Sequence, residues 1–258
     1  MEDIKQFNVD KLNVRIFKNR AVLGQYAGKE AAAEINKAIK AKGYANVMFA
    51  AAPSQNEMLE QLCNEKIDWS RVNAFHMDEY INLASDHPAL FSNYLKSRIF
   101  NKFHFKSVNI INGNAKDINV EIERYSKLLR ENPIDVCLLG IGENAHIAFN
   151  DPPVADFQDK TKIKTVMLEE KCRIQQVHDG CFTELSDVPK MALTVTVPAV
   201  VSAKVLICSV PGVTKANAVY DVLNGDITEK IPASIMRRHC NARLYLDQES
   251  GSRINNIK

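Results

Sequence analysis

Two stretches carry side chains fit for proton transfer just where the chain leaves an apolar run. "HMDEY" (76–80) follows "VNAF", and "GIGENAHIAFND" (140–151) follows "VCLL". A carboxylate near an imidazole can move a proton off carbon or oxygen at neutral pH. In the second stretch Asp151 lies five residues after His146 and could orient it or act on its own. Gly140 and Gly142 allow a backbone approach that a Cβ would hinder. In the first stretch side chains alternate along an extended segment, so Asp78 and Glu79 cannot both face one site. An acidic loop with a helix cap would account for that pair alone. Its place after a buried run makes Asp78 or Glu79 a candidate base.

Two further stretches suit an anion. "PSQNE" (53–57) follows "VMFAAA", and Ser54 with Glu57 three residues on matches a capping box. A capped helix is a sufficient reading. The same helix start, at the end of a strand, would also offer N–H groups and a positive dipole end to a phosphate. "PGVTKANAV" (211–219) reads as a turn, a possible cap at Thr214 and Lys215 in the first helical turn. A lysine there opposes the helix dipole, at a small cost that a nearby anion would remove.

These stretches need rigid elements behind them. Strand-like runs occur at 13–17, 45–52, 71–77, 107–112, 134–141, 163–168, 192–197, 204–210 and 242–247. Helical spacing occupies 20–42, a segment from Ser54, 88–100, 117–132 and 213–224. Short apolar strands separated by helix-length segments predict an α/β fold with a mostly parallel sheet covered on both faces. In such sheets ligands bind beyond the carboxyl ends of the strands, where all four stretches fall.

Composition is that of a globular chain: 258 residues, 46% hydrophobic and 25% charged, with net charge +2. That is long enough for one large core, and the expectation is a single domain over 1–258. The charge is too balanced and too dispersed for a nucleic-acid surface. The six cysteines form no C-x-x-C pair or zinc-type Cys/His spacing, and no apolar run approaches the ~18 residues of a membrane span. With no signal-peptide pattern, a reduced cytoplasmic protein without nucleic-acid or membrane partners is expected.

The order "FHMDEY", "GIGENAHIAFND", "VPKMALTVTV", "VPGVTKANAV" resembles the glucosamine-6-phosphate deaminase/isomerase family from about residue 10 to 247. The wider group includes 6-phosphogluconolactonases, but "MDEY" and "HIAFN" look more like the deaminase side. The resemblance implies a modified doubly wound, Rossmann-like α/β fold. The implied reaction converts an aminosugar 6-phosphate and water to a ketose 6-phosphate and ammonia. It implies no metal or organic cofactor and a small phosphosugar as partner, and leaves a homo-oligomer open. By motif, Asp78 looks like the base that shuttles a proton between C2 and C1, with Glu79 its companion. His146 looks like the ring-opening group, supported by the residues at 144 and 151. Ser54, Gln55 and Lys215 fall in phosphate-binding positions.

The chain departs from the family's usual G-x-x-D-G-H-I-A-F-N-E-P. Asn144 replaces an aspartate, Ala145 a glycine and Asp151 a glutamate; the phosphate loop reads "AAPS" instead of T-G-G-T. Asn144 removes a charge that would raise the basicity of His146 while keeping an acceptor. Asp151 shortens the reach by about 1.3–1.5 Å. Ala145 excludes a positive φ unless the backbone accepts strain. The family's phosphate-binding arginine has no secure match; "RIQQVHD" offers Arg173, Gln176 and His178. Two other activities compete on these grounds: a lactone hydrolase and a phosphosugar sensor without catalysis.

Overall fold

In the computed structural model, which describes residues 5–254, the chain runs as follows. β1 (Lys5–Val9), β2 (Leu12–Phe17), α1 (Arg20–Lys42), β3 (Ala45–Phe49), α2 (Asn56–Asn64) and β4 (Val72–His76) come first. β5 (Asp78–Tyr80), α3 (Phe91–Leu95), β6 (Ser107–Asn109), α4 (Ile118–Glu131), β7 (Val136–Leu139) and β8 (Ile163–Met167) follow. α5 (Glu170–His178), β9 (Met191–Val195), α6 (Val197–Val201), β10 (Val205–Val210), α7 (Ala216–Asn224) and β11 (Ala242–Asp247) complete it.

Eight strands form one sheet in the order β1-β2-β11-β10-β7-β3-β4-β6. Every pairing is parallel except the β1–β2 hairpin at one edge. The expected α/β architecture is therefore present. Alternate strand residues feed two cores. Val47, Phe49, Val136 and Leu138 pack with residues of α1, α2 and α3, while Met48, Cys137 and Leu139 pack with residues of α4, α6 and α7. All of β3, β4, β7 and β10 is buried, so apolar residues occupy both faces. Burying one such Phe or Leu side chain contributes roughly 1.5–3 kcal/mol.

Strand order reverses between β3 and β7. From β3 the chain moves outward to β4 and β6, then returns to β7 and proceeds the other way to β10 and β11. The carboxyl ends of β3 and β7 therefore diverge into loops that frame a crevice. Above it lies a second, three-stranded antiparallel sheet, β5-β9-β8. The chain steps out of β4 through Met77 into β5, and Asp78 pairs with Thr194 of β9.

Several local expectations change. The segment from Ser54 opens as a 3-10 turn over Pro53–Gln55, and α2 begins at Asn56 with no side-chain cap. Glu57 does not close a capping box: it pairs with Arg20 of α1, Oε1 to Nε at 2.6 Å. Thr214 likewise makes no cap, because Val213–Lys215 is another 3-10 turn. The expected helix at 88–100 is shorter and ends in a π-helical turn over Lys96–Phe100. β9 stops at Val195, and Pro198 stands in the first turn of α6, where its missing N–H costs nothing.

Candidate active site

The loops after β3 and β7, β5, α5 and the turn before α7 converge on one cleft. Its lining includes Ser54, Gln55, Asp78, Gly140, Gly142, His146, Gln175, Gln176 and Lys215. Five of the eight candidate residues from the sequence therefore share a single crevice. Asn144 and Asp151 stand behind His146, and Glu79 points elsewhere.

Glu79 and Asp78 divide as alternation requires. Both oxygens of Glu79 are taken by backbone amides: Oε1 accepts from Tyr80 and Phe91 at 3.0 Å, and Oε2 from Ser92 at 2.9 Å. Glu79 thereby ties β5 to the start of α3. The Asp78 carboxyl faces the cleft, and among the described residues nothing hydrogen-bonds it. Burial, with the neighbouring Glu79 charge adding to it, pushes Asp78 well above the usual carboxylate range. Its backbone is fixed from below. His76 Nδ1 lies 2.9 Å from Asp78 O, and His76 Nε2 accepts from the Ile111 amide at 2.8 Å. Accepting at Nε2 leaves the proton on Nδ1, which donates to Asp78 O. Burial lowers His76 to about 4, so it is neutral through the physiological range.

The β7 loop forms a relay. His146 Nδ1 is 2.7 Å from Asn144 Oδ1 and 3.0 Å from Asp151 Oδ1, which leaves Nε2 for the cleft. Asp151 thus reaches the imidazole despite its shorter side chain. It also accepts from Asn144 Nδ2 at 3.0 Å and from the Glu169 amide at 3.1 Å. Burial alone would raise Asp151; the bond to His146 and its charge, then Asn144 and the Glu169 amide, outweigh it and hold the group low. Asn144 is itself fixed by Glu169, Nδ2 to Oε2 at 2.6 Å.

Tight backbone geometry sets this relay. A Cβ on Gly142 would come within 2.1–2.3 Å of the His146 ring, so only glycine lets the imidazole lie there. One on Gly140 would stand 2.9 Å from Gln55 Nε2. Ala145 does take the left-handed conformation, at φ +64, and Ala148 does so at +50. The loop is fastened to the small sheet by Phe149 N donating to Thr194 Oγ1 at 3.0 Å and Asn150 Nδ2 to Val195 O at 2.9 Å.

At the other end of the cleft Lys215 is 4% exposed. Among the described residues no carboxylate pairs with it and no group accepts from it. Burial pulls its ammonium below the usual lysine range, with the charges of Asp179 and Glu143 opposing. Gln55 donates Nε2 to Ser54 Oγ at 3.0 Å and to Ser209 O at 3.2 Å, while its buried Oε1 has no partner. Of the three residues offered for the missing arginine, only Gln176 lines the cleft. Arg173 donates to Leu185 O at 2.6 Å and Val188 O at 3.0 Å, and His178 lies on the surface near Glu143.

Sequence reasoning passed over Gln175, whose Oε1 accepts from the Glu143 amide at 2.8 Å, because α5 carries no regular apolar stripe to mark it as a helix. It also passed over Cys172. One trio among the described residues has metal-ligating character: His146, Asp151 and Cys172, with donor atoms within 4.8 Å of one another. No helix among the described residues is long and apolar enough to cross a membrane.

Similarity to known proteins agrees with this geometry. A glucosamine-6-phosphate deaminase of Bacillus cytotoxicus is 34% identical over 216 residues, 84% of this chain and 80% of that protein. One from Streptococcus uberis is 31% identical over 233 residues, 90% of this chain and 97% of its own. The solved structure of a monomeric glucosamine-6-phosphate deaminase superposes with a TM-score of 0.83 at 31% identity, covering 93% of this chain and 98% of that one. The 6-phosphogluconolactonase of Trypanosoma brucei shares the fold, with a TM-score of 0.75 at 15% identity over 96% of this chain and 99% of that one. Residues 18–245 match the family described as glucosamine-6-phosphate isomerases/6-phosphogluconolactonase, and the chain belongs to that family.

Proposed function

We propose that the chain is an aminosugar-6-phosphate deaminase/isomerase, converting glucosamine 6-phosphate and water to fructose 6-phosphate and ammonia. The observation that carries this reading is the Asp78 carboxyl, buried without a hydrogen bond among the described residues, on the cleft it shares with His146 and Lys215. A carboxylate left without partners and raised in pKa is a stronger base than a solvated one, as removal of a carbon-bound proton requires.

The phosphate pairs with Lys215, with Ser54 and Gln176 as neutral donors around it, while Gln55, whose Nε2 is committed to Ser54 and Ser209, holds the Ser54 hydroxyl in place. Binding there positions the sugar ring against the reacting groups. His146 Nε2 takes the anomeric hydroxyl proton and delivers it to the ring oxygen, opening the ring. Asn144 and Asp151 hold the imidazole with Nδ1 protonated, so that Nε2 is free to accept. Asp78 then takes the C2 proton and returns it to C1 through an enolamine. The ketimine left at C2 adds water and expels ammonia. Glu79 positions Asp78 through the backbone and does not touch the sugar.

The test is incubation with glucosamine 6-phosphate in deuterated water, following C2-proton exchange, ammonia and ketose 6-phosphate together. All three are expected. Galactosamine 6-phosphate run in parallel reports which epimer is preferred. Hydrolysis of 6-phosphogluconolactone without C2 exchange would transfer the chain to lactone hydrolysis. Tight phosphosugar binding without exchange would make it a sensor.

A further inference from the structure

We propose that His146, Asp151 and Cys172 form a site for a zinc-class divalent cation, and that filling it switches the proton relay off. The three residues supply an imidazole nitrogen, a carboxylate oxygen and a sulfur, the ligand set that zinc prefers. They come from two different segments, the β7 loop and α5, held together by the fold. Their donor atoms already lie within 4.8 Å of one another, and His146 Nδ1 and Asp151 Oδ1 are 3.0 Å apart. Ligand atoms around a tetrahedral zinc are about 3.3–3.6 Å apart, given zinc–ligand bonds of ~2.0–2.3 Å. The pair therefore needs almost no movement, and the sulfur needs a shift on the order of 1 Å. Cys172 Sγ lies within 4.8 Å of both the imidazole nitrogen and the carboxylate oxygen, so the sulfur is already beside the pair.

Entry does not require the substrate cleft. A second depression behind the relay is lined by Glu143, Asn144, Glu169 and Asp221 together with Lys171 and Lys230. Its acidic side leads to Asn144, whose amide bridges Glu169 and Asp151. A cation takes the place of that amide and of the Nδ1 proton. Coordination releases the thiol proton to solvent and moves the imidazole proton from Nδ1 to Nε2. Nε2 then carries a proton where the proposed chemistry needs a free lone pair, so ring opening stops. The cation is an inhibitor here, with no place in the catalytic cycle. The inhibitory consequence rests on the proposed deaminase reading; the binding site does not.

The experiment uses the full chain, stripped with a chelator, and cobalt(II) as a coloured stand-in for zinc. One cobalt per chain is expected, with a thiolate-to-metal charge-transfer band that added zinc abolishes. Zinc is expected to suppress ammonia release, and chelator to restore it. Cys172→Ala should keep metal-free turnover, lose the band and raise the half-inhibiting zinc concentration at least about tenfold. Cys172→Ser is the second variant should the alanine protein fold poorly. A wild-type protein without the band, or zinc inhibition unchanged in both variants, overturns the site. A band in a protein that releases no ammonia upholds the site and counts only against the deaminase reading.

Discussion

Asp78 and Asp151 are two buried carboxylates serving the same cleft, and their surroundings push them in opposite directions. Asp78 has no hydrogen-bond partner among the described residues, and burial raises it. Asp151 accepts from Asn144 and the Glu169 amide and pairs with His146, and these hold it low. The first is a group left bare for a substrate. The second is a fixed charge that orients another group. Separated pKa values of this kind are how one site assigns the base and its support. The contrast comes from backbone placement. β5 presents Asp78 at the edge of a small sheet, whereas the turns of the β7 loop fold Asp151 back beneath the imidazole.

Replacing Asp78 with Asn should break the comparison most severely. Exchange at C2 and turnover should fall by about 10²–10⁴, the range for loss of a positioned base. Stability should move the other way. A carboxyl whose folded pKa is raised costs stability once it ionises in the fold. Asp78→Asn is therefore expected to melt higher than the wild type at neutral pH. The advantage should shrink as pH falls through the raised folded value and vanish near the unfolded value of about 3.9. Denaturant melts across that range check it; equal stability at all pH values would remove the bare-carboxylate argument.

Lys215 is the cationic counterpart of Asp78, buried and without a charged partner among the described residues. Lys215→Met should raise KM for the phosphosugar by roughly two to three orders of magnitude, the scale for truncating one partner of a buried charge pair. Inorganic phosphate should raise the melting temperature of the wild type and leave the variant unmoved. Comparable phosphate stabilisation of both proteins would place the anion elsewhere.

Asp151→Asn should behave oppositely to Asp78→Asn in stability. A depressed folded pKa contributes stability that is present above the unfolded value and is lost as pH falls through the folded one. The variant is expected to be weaker by about 1.5–3 kcal/mol at pH 7, the worth of hydrogen bonds to a charged group, and to match the wild type in acid. Turnover should drop by about 10–100-fold, because the imidazole loses its orienting partner. Paired pH–stability curves for the two aspartates would sharpen or dissolve the distinction drawn between them.

Much of this was legible in the residue order. Apolar runs marked every strand of the main sheet except β1, whose alternating polar sequence carries no buried stripe. The strand-end rule located the cleft, and Asp78, His146 and Lys215 all line it. Other features were settled by distant contacts that no local pattern encodes. Ser54 and Glu57 have capping-box spacing, yet Arg20 claims the glutamate from a different helix. "MDEY" reads as either an acidic loop or an extended segment, and pairing with β9, more than a hundred residues away, makes it a strand. Gln175 reached the site through α5, a polar segment with no periodicity to announce it. Cys172 carries no local spacing that marks it, and the fold alone brings its sulfur within 4.8 Å of the His146 and Asp151 donor atoms.

The smallest effect concerns the loop carrying the relay. Ala145 holds φ at +64, a conformation in which its Cβ crowds the backbone. Its carbonyl accepts from the Ala233 amide at 2.9 Å, and its neighbours Asn144 and His146 are joined side chain to side chain, so the turn has no cheaper conformation open to it. Ala145→Gly removes the crowding, at the expense of greater freedom in the unfolded chain and one buried methyl. Relief of about 1–2 kcal/mol against a glycine penalty of about 0.5–1 leaves a gain of somewhat under 1 kcal/mol before the lost methyl contact is subtracted. The variant should melt slightly higher, with turnover unchanged within about twofold, since the relay contacts come from other residues. A loss of stability would mean that packing of the Ala145 methyl, 3% exposed in the core beneath the loop, outweighs the strain at this turn.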